Sequence, residues 1–319
     1  MAELLDVQDL TLEYRTRAAV VKAVNKVSFT LPKGSTLGLV GESGSGKSTV
    51  GHALMKLVDP PGVVSGGHIY FNGLDILSLD EEEMRKIRGK RIAMIFQDPM
   101  SSLSPVKKVG QHFVEYIREH DPSVSKSEAL NTARKIFEDL GIEKSRVEDY
   151  PHQFSGGMRQ RVMIGLAIAL RPELIIADEP TTALDVVVEV QILELLKELK
   201  TRYSVSLILI THNMGVVAET TDRIAVMYAG KLMEVSSTTK LFSHPMNPYT
   251  EALLNSIPNI LLNDQLLKSI PGSPPDMCNL PQGCPFSTRC PYVFDKCRVE
   301  DPKLLRLDQE TETACHLHG

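Results

Sequence analysis

The chain has 319 residues, enough for one large domain or for a domain with an appendage. Hydrophobic residues make up 42% of the sequence and charged residues 24%, which is typical of a soluble globular protein. The net charge of −5 does not favour nucleic acid as a partner, and the longest apolar runs, such as Leu207–Ile210, are far too short to span a membrane.

The N-terminal residues, MAELLDVQDLTLEY, are acidic and alternate between apolar and polar side chains. This pattern differs from a secretory signal, so we expect the protein to be cytoplasmic. Residues 3–31 continue the alternation, for example at Leu10, Leu12 and Tyr14. Such a period of two predicts half-buried antiparallel strands.

The central part of the chain alternates buried strands with helices. We predict strands at Thr36–Val40, Arg91–Phe96, Leu174–Asp178 and Val205–Thr211. We predict helices at 47–57, 111–119, 127–140, 157–170 and 187–202. The fold class is therefore α/β: an α/β core with an antiparallel β subdomain and a helical insertion at about 98–172.

After about Glu234 the sequence becomes rich in Pro, Asn and Gly, as in IPGSPPDMCNLPQGCP. This change of composition predicts a small, loop-rich module at the end of the chain. We therefore divide the sequence into a larger N-terminal domain at 1–235 and a C-terminal module at 236–319.

A glycine-rich loop follows the third predicted strand and precedes a helix. The sequence GESGSGKST at 41–49, the phosphate loop, fits the P-loop pattern G-x4-G-K-[ST]. Its backbone amides and Lys47 suit the phosphates of ATP, and the Ser48 hydroxyl suits Mg²⁺. We predict that ATP is bound by Gly41, Ser43, Gly44, Ser45, Gly46, Lys47, Ser48 and Thr49.

Two adjacent acids close a buried strand. Asp178 stands where an aspartate can reach Mg²⁺, and Glu179 can orient or deprotonate the attacking water. A glutamate that only ends a strand is the alternative reading of Glu179. The presence of two adjacent acids at the end of a buried strand favours a catalytic role for Glu179.

These motifs, in this order, resemble those of ABC-type ATPase subunits over residues 1 to about 235. FSGGM at 154–158 resembles the signature motif, with Met158 where glutamine is common, and Ala183-Leu184-Asp185 resembles the D-loop. The remaining motif residues are Gln97 of the Q-loop, the switch His212, and the signature Ser155, Gly156 and Gly157. Tyr14 resembles the aromatic residue that stacks on adenine.

The resemblance implies the roles of these residues. Gln97 would sense the γ-phosphate and join Ser48 and Asp178 at Mg²⁺. The catalytic residues would be Glu179, His212, Gln97 and Lys47. The signature surface would close over ATP held by a partner ATPase subunit, so the implied active form is a dimer with ATP between the subunits.

All five cysteines lie in the C-terminal module: Cys278, Cys284, Cys290, Cys297 and Cys315. Clustered cysteines in a cytosolic chain favour a metal over disulfides, although none of the spacings is C-x2-C. Four thiolates can hold Zn²⁺ or a [4Fe–4S] cluster. Unligated structural cysteines are the alternative.

GCPFSTRCPYVFDKC, the later ACH and HPMNPYTEALL resemble the C-terminal extension of dipeptide and oligopeptide importer ATPases. FSGGMRQRVMIGLAIAL is similar to one of their two paralogous ATPase subunits. The resemblance implies a [4Fe–4S] cluster on Cys284, Cys290, Cys297 and Cys315, whereas spacing alone favours Cys278 as the fourth ligand.

The function implied is ATP-driven peptide import by a protein bound peripherally to the inner face of the cell membrane. The implied partners are a paralogous ATPase subunit or a second copy, two transmembrane permease subunits and, indirectly, a peptide-binding protein. The alternative is a soluble ABC ATPase that acts on nucleic acid or the ribosome. The acidic net charge disfavours it.

Overall fold

The structure is a computed structural model, which describes residues 3–17, 19–98, 102–182, 184–256 and 270–319. The chain folds into two compact units. The first unit contains Met1–Ser78 and Leu209–Gly319, and the second contains Leu79–Ile208. In the part of the chain that the structure describes, every helix is too short or too polar to span a lipid bilayer.

The strands are β1 (Glu3–Arg15), β2 (Val20–Pro32), β3 (Thr36–Val40), β4 (Gly62–Phe71), β5 (Leu74–Asp75), β6 (Ile92–Ile95), β7 (Leu174–Asp178), β8 (Ser206–Thr211), β9 (Arg223–Tyr228), β10 (Lys231–Ser237), β11 (Leu305–Arg306) and β12 (Glu312–Thr313). The helices are α1 (Lys47–Leu54), α2 (Glu81–Ile87), α3 (Val109–His120), α4 (Lys126–Asp139), α5 (Gly156–Ile168), α6 (Val186–Tyr203), α7 (Met214–Thr220), α8 (Thr238–Ser243), α9 (Pro248–Asn255) and α10 (Asp295–Val299). Strand β8 crosses the boundary between the units.

In the first unit, the N-terminal strands form an antiparallel sheet in the order β2-β1-β4-β5. Leu12 of β1 lies opposite Val24 of β2 and Val64 of β4. The apolar side chains at Leu10 and Leu12 are fully buried, which confirms the antiparallel β subdomain predicted from their alternation.

A second sheet of the first unit runs β11-β12-β10-β9-β3. All five residues of β3 are buried, and β3 pairs in parallel with β9. The strand continues directly into the phosphate loop, which is thereby fixed at the edge of the core. At the other end, β12 pairs with β10, so the last residues of the C-terminal module extend this sheet.

The second unit contains the parallel pair β6 and β7, both completely buried. Helices α3, α4 and α5 come next, with short 3-10 turns at Lys144–Glu148 and Pro151–Gln153. Their core contains Phe113, Phe137 and Phe154, whose ring centroids are 5.7 and 6.5 Å apart in edge-to-face geometry. These three helices thus follow β6 in this unit, and the bounds of the helical insertion at about 98–172 stay a prediction.

Candidate nucleotide-binding site

The phosphate loop connects β3 to α1 and depends on glycine at two close backbone contacts. A methyl group on Gly41 would lie 2.1 Å from the carbonyl oxygen of Met227, and one on Gly46 would lie 2.2 Å from that of Ala23. Gly46 also has a φ of 100°, in the left-handed region. Only glycine fits both positions, so the sequence specifies this tight loop, and loops of this kind can turn backbone amides toward an anion.

Lys47 is buried within this loop, at 4% exposure. Its Nζ donates hydrogen bonds to the carbonyl oxygens of Gly41 (2.8 Å) and Glu42 (2.8 Å) and to Ser45 Oγ (3.3 Å). These bonds hold the ammonium group over the loop. Because α1 begins at Lys47, the positive end of the helix dipole reinforces the lysine charge in attracting phosphate.

Two further predicted residues lie in the first unit. Tyr14 of β1 is half-buried and lies opposite Val21 and Gly62, and a methyl group on Gly62 would lie 2.9 Å from the Tyr14 ring. His212 follows β8 directly and is exposed. Their contacts with adenine and the γ-phosphate remain predictions.

In the second unit, the two predicted acids end β7. Asp178 is the last residue of the strand and is 4% exposed. Glu179 follows with a φ of 44°, a left-handed conformation that is uncommon for glutamate. Strained backbone of this kind is frequent at functional sites, where it aims a side chain.

The structure brings Gln97 and Glu179 together. Gln97 Nε2 donates to Glu179 Oε2 at 3.0 Å, and the Thr182 hydroxyl donates to the same oxygen at 2.9 Å. Gln97 follows β6 and Glu179 follows β7, and the carboxyl ends of parallel strands share one edge of a sheet. Thr182 could not be predicted as part of this site, because it carries no motif signal of its own.

The signature residues lie at the start of α5. Ser155 caps this helix by accepting a hydrogen bond from the Met158 amide at 3.3 Å. A methyl group on Gly157 would lie 2.5 Å from Val188 of α6, which Asp185 caps. The signature and the D-loop therefore adjoin within the second unit. Ala183 of the D-loop lies outside the described residues.

Arg146 is a neighbour of the signature that the sequence analysis did not identify. Its guanidinium lies 4.3 Å from the centroid of the Phe154 ring and donates to the Met158 sulfur (3.3 Å) and the Gln153 carbonyl (2.9 Å). These contacts connect Arg146 to the residues at the start of α5. No local pattern in one sequence distinguishes this arginine from a surface residue.

The predicted magnesium ligands fit that ion by their chemistry. Ser48, Gln97 and Asp178 offer a hydroxyl, an amide and a carboxylate oxygen, and Mg²⁺ prefers oxygen donors. Asp178 is buried at the end of β7, where a carboxylate favours a nearby cation. When bound, the metal would neutralise charge on the phosphates.

Four of the five cysteines, Cys284, Cys290, Cys297 and Cys315, line one small cavity of about 20 Å³. Cys278 is exposed and is not among the lining residues. The prediction of a [4Fe–4S] cluster in a metal-binding module is nevertheless wrong. Among the described residues, no group of histidine, cysteine or acidic side chains is arranged to hold a metal ion.

The cavity that the four cysteines line is small, and its thiols are buried. A volume of about 20 Å³ holds little more than one water molecule. Burial raises the pKa of the Cys284 thiol to about 12 and also raises the pKa values of Cys290 and Cys315. Burial in this cavity thus disfavours the thiolate form of these three side chains. They pack as small apolar side chains against Phe286.

Comparisons with known proteins agree with the motifs. The ABC transporter family matches residues 24–182, and the C-terminal region family of oligopeptide/dipeptide transporters matches residues 233–297. The chain is 46% identical to the oligopeptide transport ATP-binding protein OppD of Haemophilus influenzae over 99% of this chain and 98% of that protein. It is 46% identical to the dipeptide transport ATP-binding protein DppD of Bacillus subtilis, over 98% and 94%. These names do not mention an iron–sulfur cluster.

The fold is similar to that of solved ATP-binding cassettes. The dimeric post-hydrolysis structure of the cassette MJ0796 with ADP and phosphate aligns with a TM-score of 0.66 and 27% identity, over 73% of this chain and 98% of that one. From the ordered motifs, the glycine-built phosphate loop and the near full-length identity to these relatives, we conclude that the chain belongs to the ATP-binding protein family of oligopeptide and dipeptide ABC transporters.

Proposed function

We propose that this chain is the ATP-hydrolysing subunit of an importer for dipeptides or oligopeptides. The observation that carries the proposal is that 46% identity to a peptide-transport ATP-binding protein extends over 99% of the chain, including the C-terminal region. A likeness limited to the ATPase core would indicate only an ABC protein of unspecified cargo.

The residues of the two units have separable tasks in ATP hydrolysis. In the first unit, the phosphate loop and Lys47 bind the triphosphate, and His212 holds the γ-phosphate and the attacking water. In the second unit, Glu179 is the general base that takes the proton of that water. Gln97, which donates a hydrogen bond to Glu179, couples the presence of γ-phosphate to the position of this base.

The active form is a dimer in which ATP lies between the phosphate loop of one subunit and the signature of the other. The likeness to a dimeric cassette supports this arrangement. The signature residues Ser155, Gly156 and Gly157 form a helix start, which attracts anions, and Ser155 caps it. The partner subunit is a paralogue or a second copy.

We also propose that two membrane-spanning permease subunits hold this dimer at the inner face of the cell membrane. A peptide-binding protein outside the cytoplasm would deliver the cargo to the permease. Both assignments rest on the transporter family to which the chain belongs.

The test is stimulation of ATP hydrolysis in proteoliposomes that contain the assembled transporter. Peptide-loaded binding protein is expected to raise the rate of ATP hydrolysis and to drive labelled peptide into the vesicle lumen. Glu179→Gln in this chain should abolish both. Stimulation by nucleic acid, with no response to the loaded binding protein, would contradict the proposal.

A further inference from the structure

The C-terminal module is bonded to the phosphate loop through Glu42. Arg289 forms a bidentate ion pair with this residue: Nη1 lies 2.6 Å from Glu42 Oε2, and Nη2 lies 2.9 Å from Oε1. The arginine side chain is 4% exposed and the glutamate side chain 24%. Paired hydrogen bonds of this kind are strong and directional, and burial protects them from screening by salt.

Arg289 is itself held in place by other parts of the first unit. Its Nε donates to the carbonyl oxygen of Pro271 at 2.8 Å, and its Nη1 donates to the Tyr228 hydroxyl at 3.2 Å. The backbone of Glu42 is fixed as well, because its amide donates to the hydroxyl of the buried Tyr249 at 2.9 Å. Both the main chain and the side chain of Glu42 are thus bonded to the module.

The module also borders the loop sterically. A cavity of about 100 Å³ is lined by residues of both the loop and the module, together with two from the end of β9: Glu42, Ser43, Gly44, Ser45, Pro274, Pro275, Met277, Tyr228 and Ala229. Gly44 has no atom within 4 Å of the position of a Cβ. The phosphate loop is therefore unobstructed at Gly44, while residues of the module line the same cavity.

The charge of Glu42 gives the ion pair a consequence for ATP. A carboxylate in a loop that receives a triphosphate repels that ligand unless a cation neutralises it. Arg289 is the cation placed to do so, from 247 positions away in the sequence. Without it, the carboxylate would remain beside the phosphates, and the side-chain restraint on the loop would be lost.

We propose that Arg289 is a positioning residue for ATP binding: it neutralises Glu42 in the phosphate loop, so the C-terminal module sets the affinity of the nucleotide site. This inference rests on residues 41–49 being the ATP site. A purely structural alternative is that the ion pair only anchors the module. The two explanations predict different ATP affinities for a variant that lacks both charges.

The experiment measures the Kd of Mg-ATP for the full-length chain by equilibrium dialysis. Arg289→Gln is expected to raise the Kd roughly tenfold, because an unneutralised carboxylate is then left in the loop that receives the phosphates. The double variant Glu42→Gln, Arg289→Gln is expected to recover most of that loss. Arg298→Gln, an equal charge change at an exposed position of the same module, should leave the Kd unchanged.

A double variant that binds ATP as weakly as Arg289→Gln would overturn the proposal in favour of simple anchoring, as would an unchanged Kd in Arg289→Gln. Should Arg289→Gln not fold, Arg289→Lys decides the question. Lysine keeps the positive charge but not the planar guanidinium, so the proposal expects a Kd within about threefold of the wild-type value. A Kd raised tenfold despite the retained charge would overturn it. Lys47→Ala is the separate control, because unchanged ATP binding there would reject the site itself.

Discussion

Replacement of Glu179 by glutamine should separate ATP binding from ATP hydrolysis. Glu179 Oε2 accepts hydrogen bonds from Gln97 Nε2 at 3.0 Å and from the Thr182 hydroxyl at 2.9 Å. A glutamine carbonyl oxygen can accept both bonds, and its side chain has the same size. The left-handed backbone at this position, with a φ of 44°, is as unfavourable for one residue as for the other. We therefore expect no change in folding stability.

The substitution does remove the proton acceptor. General bases contribute roughly 10²–10⁴-fold to enzymatic rates, which corresponds to about 3–5 kcal/mol of activation free energy. We expect turnover to fall by that factor while the Kd of Mg-ATP changes by less than about threefold. The assay is phosphate release from the assembled transporter, paired with equilibrium binding of labelled ATP to the same variant.

Glu189→Gln is the matched control. Glu189 lies in the same unit and accepts a hydrogen bond from the Thr181 hydroxyl at 2.8 Å, but it has no predicted role in catalysis. This variant should retain turnover within about twofold. Turnover of Glu179→Gln close to the wild-type rate, or an equal loss in both variants, would refute the assignment of the base.

Three further experiments each test a single feature of the structure. Gly157→Ala places a methyl group 2.5 Å from Val188, so the rate of ATP turnover should fall about tenfold or more. Adding Val188→Ala should restore part of that rate. Failure of this rescue in an ATPase assay would exclude the steric cause. Asp178→Asn should raise the Mg²⁺ concentration needed for half-maximal ATP hydrolysis roughly tenfold. An unchanged Mg²⁺ titration would reject Asp178 as a ligand. Burial raises the pKa of Cys284 to about 12, so iodoacetamide should label this thiol slowly at pH 8 and faster only as the pH rises toward 12. Labelling of Cys284 as fast as that of the exposed Cys278 would contradict its burial.

The core strands could be predicted from sequence because they are short runs of apolar residues bounded by motif residues. Thr36–Val40 and Leu174–Asp178 have the predicted bounds, and all of their residues are buried. The juxtaposition of Gln97 and Glu179 obeys the same logic, since each residue lies within two positions of the end of one of two parallel strands. In such folds the ends of strands identify the reactive edge.

Contacts between distant parts of the chain could not be predicted in this way. Glu42 and Arg289 are 247 positions apart, and neither residue type is unusual in its local sequence. Arg146 reaches the Met158 sulfur from a short 3-10 turn whose sequence indicates nothing about the signature. These pairs depend on tertiary packing, which periodicity and spacing do not encode.

The cysteines misled the sequence analysis for a chemical reason. Cys284, Cys290, Cys297 and Cys315 do converge on one cavity, as metal ligands would. Small buried thiols converge in the same way when they serve as apolar packing groups. Sequence spacing indicates only that the cysteines lie close together. The correction rests on the arrangement of the side chains, because no group among the described residues is arranged to hold a metal ion.

The binding stoichiometry of Mg-ATP tests the central claim most directly. The full-length chain, dialysed against labelled ATP, should retain about one ATP per chain, and Lys47→Ala should retain far less, because the Lys47 ammonium group sits within the phosphate loop. A chain that retains no ATP, or a Lys47→Ala variant that retains as much as the wild type, would contradict the account.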